Sequence, residues 1–152
     1  LAERAWRSLG EAFPYRLAVG KEADQIAFPF PLLDDGIAVR APIAGIVAGL
    51  REAPTEVSVF LPVDCPLMTP DALRSLAEAC ADAAVPETGS LPAAYAKAAL
   101  VVLEQRLESG DLALEEALEQ LDARRVELDE ELLANVNTER DLDRLRAQAL
   151  AT

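Results

Sequence analysis

Asp64 directly follows the apolar run Val57–Val63 and precedes Cys65-Pro66. A nearly continuous apolar run reads as a strand covered on both faces, which sets Asp64 at its carboxyl end. A carboxylate there can hold Mg²⁺, which takes oxygen ligands and bridges one or two carboxylates to substrate phosphates. The same residue can instead form an Asx-type turn supporting Cys65-Pro66. Asn135 and Asn137 flank Val136 ahead of a final helical segment. Each amide supplies a carbonyl oxygen for a metal and donors for a phosphate, or else closes its own loop. Ala41-Pro42-Ile43-Ala44-Gly45-Ile46 reads as a helix N-terminus with small residues. Its free N–H groups suit an anion and Gly45 permits close approach, with helix–sheet packing as the alternative. Asp34, in Asp34-Asp35-Gly36, can accept hydrogen bonds from a ligand or form an ordinary turn.

Composition removes several other chemistries. The chain has no histidine and two cysteines, Cys65 and Cys80. A Ser-His-Asp triad, a histidine base and a His-containing zinc site are therefore excluded, and the cysteines read as reduced core thiols. Trp6, Tyr15 and Tyr95 read as packing residues rather than base-stacking platforms. The formal net charge of -13 argues against duplex nucleic acid or an anionic membrane as partner. Residues 104–152 hold 14 acidic and 6 basic side chains, so most of that charge reads as the solvated faces of C-terminal helices. No apolar run approaches the roughly 18 residues of a membrane span and no signal-peptide pattern opens the chain, so a cytoplasmic location is expected.

The elements that must position these groups alternate. Helical spacing of Leu1, Ala5, Trp6, Leu9 and Phe13 ends at Pro14. Leu17-Ala18-Val19 predicts a buried strand, and the Pro-interrupted Ala27–Leu33 a short or edge strand. Pro42 opens a helix whose buried stripe is Ile43, Ile46, Val47 and Leu50. Thr69-Pro70-Asp71 caps and starts another, running to about Asp82. Ala83–Val85 predicts a strand, Pro92–Leu107 a mainly helical stretch, Leu112–Ala123 a helix and Arg125–Leu128 a strand. Thr138 caps the last helix with Asp141 three residues on. The alternation predicts one domain over residues 1–152 with a three-layer α/β/α, Rossmann-like fold and a mostly parallel sheet. Ligands of such sheets bind outside the carboxyl ends of the strands.

Three segments resemble the molybdenum-cofactor guanylyltransferase family. They are Ala41-Pro42-Ile43-Ala44-Gly45-Ile46, then Leu61-Pro62-Val63-Asp64-Cys65-Pro66-Leu67, then Asn135-Val136-Asn137-Thr138-Glu139-Arg140-Asp141-Leu142. The last is the most specific. The resemblance implies transfer of GMP from GTP to molybdenum-bearing molybdopterin with release of pyrophosphate. Asp64 would bind Mg²⁺ and nucleotide, and Asp34 and Gly45 would lie at the nucleotide. Asn135 and Asn137 would face phosphates, metal or pterin, with Asn137 the better metal ligand. Cofactor-delivery proteins or molybdoenzymes would be transient partners. A cytidylyltransferase of the same cofactor and a sugar-nucleotide pyrophosphorylase are rivals within the class. A domain that binds nucleotide or a partner without turnover is the rival outside it.

Ala41 replaces the family's Gly before Pro42, and Gly20 stands where some members carry Asn. The family's Leu-Ala-Gly-Gly loop, with its Arg-Met-Gly and Lys, precedes the helix that here begins near Leu1. That loop and the first central strand are expected upstream, adding roughly 20–30 residues on the scale of a βαβ unit. The natural product should therefore exceed 16.3 kDa by intact-mass measurement; a mass near that value would count against the upstream segment.

Overall fold

The computed structural model describes residues 2–20, 32–36 and 40–151. Helices α1 (Ala2–Ala12), α2 (Pro42–Glu52), α3 (Pro70–Ala79), α4 (Leu100–Ser109), α5 (Leu114–Glu119) and α6 (Glu139–Ala151) surround short strands. Strands β1 (Ala18–Gly20) and β2 (Leu32–Asp34) form a parallel pair. Strands β3 (Val57–Phe60), β4 (Ala83–Pro86), β5 (Ala93–Ala96) and β6 (Ala123–Val126) form a sheet in the order β3-β5-β4-β6. In it β5 runs antiparallel to both neighbours, while β4 and β6 are parallel. Consequently β3, β4 and β6 all point the same way, and their carboxyl ends share one edge.

Local chemistry explains the helices that read clearly. Thr69 Oγ1 accepts from the Ala72 N–H at 3.2 Å and Pro70 takes the first helical position, so α3 starts where its cap dictates. Pro42 starts α2, and Ile43, Ile46, Val47 and Leu50 are all buried as one stripe. At the other end of α2 the Lys97 ammonium donates to the Leu50 and Ala53 carbonyls, groups the helix leaves unsatisfied. Helix α4 stops at Gly110, whose φ of +77° is the left-handed conformation of a glycine stop, with the Asp111 N–H bonding back to the Arg106 carbonyl at 2.9 Å.

The core lies on both faces of the sheet. On one, Ala83 and Val85 of β4 and Ala93 and Tyr95 of β5 meet α2, α4 and α5. On the other, Ala84 and Ala94 meet Cys65, Met68, Leu73 and Leu76. This period-two alternation between two covered faces is the three-layer arrangement. Gly49 lets α2 approach β3, because a Cβ there would come within 2.6 Å of the Phe60 ring.

Several elements depart from the sequence expectation. Strand β6 spans Ala123–Val126 rather than Arg125–Leu128, because its register is set by pairing with Ala83–Pro86 of β4. Strand β1 spans Ala18–Gly20 and is half-buried rather than buried, since among the described residues it pairs on one edge only. Ala93–Ala96 is strand β5 rather than the start of a helix. Helix propensity favours Ala, but a slot between β3 and β4 that buries Ala93, Ala94 and Tyr95 overrides it. Strand β3 ends at Phe60 and is half-buried, not covered through Val63. Pro62 cannot donate to a ladder, and Val63 is 51% exposed. Helix α5 is shorter than Leu112–Ala123, because Ala123 already pairs with Ala83 as the first residue of β6. The expected strand Ala27–Leu33 lies outside the described residues as far as position 31, and β2 begins at Leu32.

Candidate active site

Asp64 lies in the loop that leaves β3, half-buried at the carboxyl edge of the sheet. Its backbone carbonyl accepts from the Val136 N–H at 2.7 Å, so the loop after β3 is tied to the segment that follows β6. Val136 is 3% exposed and plugs into the protein, while Asn135 and Asn137 on either side are exposed. Apolar burial of the middle residue thus presents both amides on the outer surface. Beyond them Thr138 Oγ1 accepts from the Asp141 N–H at 3.1 Å and starts α6, and Leu142 anchors that helix in the interior.

Cys65 completes the junction. Its thiol lies 3.7 Å from Asp64 Oδ1 and 3.6 Å from Asn135 Oδ1, so its one proton can be donated to either oxygen. Burial pushes the thiol up from 9.0 to about 11, and the Asp64 charge and its hydrogen bond push the same way. A thiol kept protonated there is a weak donor set between two oxygens. This positioning role is what the reading of Cys65 as a core thiol lacked. Its only sequence signal was adjacency to Asp64, since its other partner is far away along the chain. The folded state favours the protonated form, so the stability this thiol contributes is present below pH 9.0 and is lost as pH rises toward about 11. Thermal midpoints measured from pH 8 to 11 should fall more steeply for the wild type than for Cys65→Ala, with Cys80 common to both. Parallel curves would remove Cys65 from the alkaline transition.

Asp34 ends β2 and is exposed, with Oδ2 accepting from the Gly36 N–H at 2.9 Å. That is an Asx turn, with Gly36 at φ +70°. The residue belongs to the two-stranded sheet, whereas Asp64 follows β3 of the four-stranded one. Gly45 lies on α2 with open space where a Cβ would point. It lines an apolar cavity of about 540 Å³ whose walls include Val19 of β1, Val59 of β3, Leu9 of α1 and Ile46 of α2. Leu61 and Pro62, which lead into Asp64, line it too. Among the described residues β1 pairs only with β2, and β3 only with β5, so the cavity runs between two unpaired strand edges.

Among the described residues no three acidic, Cys or His side chains converge on one point. Mg²⁺ makes no such demand, being held through one or two carboxylates with waters and phosphates. The all-oxygen pair of Asp64 and Asn135, both within reach of one thiol, fits that ion as a partial ligand set. Among the described residues no helix is long and apolar enough to cross a membrane.

The sequence pattern of the MobA-like NTP transferase domain matches residues 1–127. The chain belongs to that family. A curated Aquifex aeolicus protein, described as a probable molybdenum cofactor guanylyltransferase, is 29% identical over 95% of this chain and 76% of its own length. A solved Aquifex aeolicus protein superposes with a TM-score of 0.80 at 26% identity, covering 90% of this chain and 78% of its own. A solved molybdopterin-guanine dinucleotide biosynthesis protein A from Archaeoglobus fulgidus gives 0.75 at 25% identity, covering 99% and 86%. The bifunctional IspDF of Campylobacter jejuni shares the fold at a TM-score of 0.64 and 14% identity, over 93% of this chain and 45% of that one. The MobA-like chain is thus an α/β nucleotidyltransferase with a mixed sheet.

Proposed function

We propose that this MobA-like chain transfers GMP from GTP to molybdenum-bearing molybdopterin and releases pyrophosphate, using Mg²⁺. The observation that carries this reading is the tie between Asp64 and Asn135-Val136-Asn137 at the edge where β3, β4 and β6 end. The names of the Aquifex and Archaeoglobus relatives support the choice of acceptor and base.

A terminal phosphate oxygen of molybdopterin attacks the α-phosphorus in line. A new oxygen–phosphorus bond forms, the bond to the β-phosphate bridging oxygen breaks, and pyrophosphate departs. Asp64 and an amide oxygen, from Asn135, which meets Asp64 at the Cys65 thiol, or from Asn137, would hold Mg²⁺, whose charge would offset that building on the phosphate oxygens. Asp34 binds the nucleotide, Gly45 lies near it on the α2 wall of the cavity, and Asn135 and Asn137 orient phosphates or pterin. The protein supplies position and electrostatics without a covalent intermediate. The apolar cavity between β1 and β3 receives the strand expected upstream of Leu1, whose loop clamps the triphosphate. Support for that assignment is the two unpaired strand edges and the apolar walls on either side.

Turnover of GTP and CTP on molybdopterin, with pyrophosphate as readout, tests the reaction. GTP preference is expected; CTP preference would reassign the base, and no pyrophosphate with either nucleotide would leave only a binding domain.

A further inference from the structure

At Cys65 two oxygens converge on one proton. The sulfur lies 3.7 Å from Asp64 Oδ1 and 3.6 Å from Asn135 Oδ1, and a thiol has a single hydrogen to give. The surroundings of that sulfur are fixed. Cys65 is 4% exposed, packed among Met68, Leu73 and Leu76, and its N–H bonds the Pro62 carbonyl at 3.2 Å. The 2.7 Å bond from the Val136 N–H to the Asp64 carbonyl, with burial of the Val136 side chain, sets the backbone beside Asn135. These contacts decide where Asn135 stands. They do not decide which end of its amide turns inward.

The two ends differ in chemistry. An amide carries an acceptor oxygen and a donor nitrogen on one carbon, and half a turn exchanges them. With a carboxylate on the same sulfur, electrostatics favour the N–H end turning in, because a bond from N–H to a charged oxygen is stronger than a neutral one. An amide in that orientation engages Asp64 and offers a cation nothing. The structure has the opposite orientation, with Asn135 Oδ1 toward the sulfur that also meets Asp64 Oδ1. Two oxygens sharing one weak donor leave lone pairs that a hard divalent cation satisfies. Asn137, exposed beyond Val136, forms no hydrogen bond to Asp64 or Cys65 among the described residues.

We infer that Cys65 is the positioning residue that holds the Asn135 amide oxygen-inward, and so makes Asn135, paired with Asp64, the amide ligand of a divalent cation. This rests on the nucleotidyl-transfer reading and names which amide serves its metal. Mn²⁺ takes the same oxygen ligands as Mg²⁺, and its spin resonance reports binding directly. Cys65→Ala should weaken Mn²⁺ binding about tenfold, the scale for losing a group that orients a metal ligand. Asn135→Ala should do at least as much, adding Cys65→Ala to it should cost nothing further, and Asn137→Ala should stay within about twofold. Cys65→Ser keeps a donor in place and should recover most of the loss. Hydrogen exchange of the Asn135 side-chain amide needs no metal. Its protons should exchange freely in the wild type, and one should slow about tenfold in Cys65→Ala as it turns onto Asp64.

Unaltered Mn²⁺ affinity in Cys65→Ala, a loss that follows Asn137 instead of Asn135, or wild type that binds no Mn²⁺ overturns the inference. Should Cys65→Ala unfold, the wild type still decides, since an Asn135 amide already slowed there has its nitrogen inward and overturns it. Wild type that holds Mn²⁺ in this thiol-dependent way but releases no pyrophosphate defeats the transfer reading alone. Wild type that transfers, with Mn²⁺ affinity indifferent to Cys65, defeats the inference alone.

Discussion

Asp64→Asn is expected to reduce Mg²⁺-dependent nucleotidyl transfer by about 10²- to 10³-fold, the usual scale for removing one charge-stabilising group from a reacting centre. The fold should not notice. The tie to Val136 uses the Asp64 backbone carbonyl, which the substitution leaves in place. An Asn side chain still offers Oδ1 to the Cys65 thiol. The thermal midpoint should therefore stay within the shift expected of about 0.5 kcal/mol. Retained transfer would take Asp64 out of the mechanism. A collapse in stability would mean that its carboxylate supports the turn instead.

Leu73→Ala should produce the opposite pattern. Leu73 is fully buried on α3 in the cluster that contains Cys65, Met68 and Leu76, beneath the Asp64 loop. Deleting its side chain removes transfer energy and leaves a void, together about 3 kcal/mol and within the usual span for such changes. That is a large fraction of the total stability of a domain this size. Chemical denaturation should show a lower midpoint with an unchanged slope. Residual transfer at low temperature should persist, since no reacting group is touched. A Leu73→Ala protein as stable as wild type would mean that α3 collapses onto the sheet without a cavity.

The two substitutions separate what binds from what supports. Both act within one loop and the cluster beneath it, yet one should change rate without stability and the other stability without chemistry. The Cys65 thiol joins the two regimes, being packed in the cluster and bonded to the site.

Where local chemistry decides the conformation, the sequence by itself determined it. Pro42 and the stripe from Ile43 to Leu50 specify α2, Thr69-Pro70 specifies α3, and Thr138 with Asp141 specifies the start of α6. Each rests on neighbours a few residues apart. Asp64, Asn135 and Asn137 were legible as candidates from a polar residue after an apolar run and a polar–apolar–polar triplet ahead of a cap, with their roles supplied by the family resemblance; β3 itself ends at Phe60, so Asp64 lies in the loop beyond it. Only the tertiary structure decided the rest. Ala93–Ala96 carries a helical preference, and becomes a strand because β3 and β4 offer backbone partners on both sides and Ala93, Ala94 and Tyr95 are fully buried there. No periodicity within four residues encodes partners that lie elsewhere in the chain. The meeting of Asp64 with Asn135, and Arg125 with the β4–β5 loop, likewise depends on which strands lie side by side. Side-by-side order is set by the packing of whole layers, a non-local energy that no short window of residues contains.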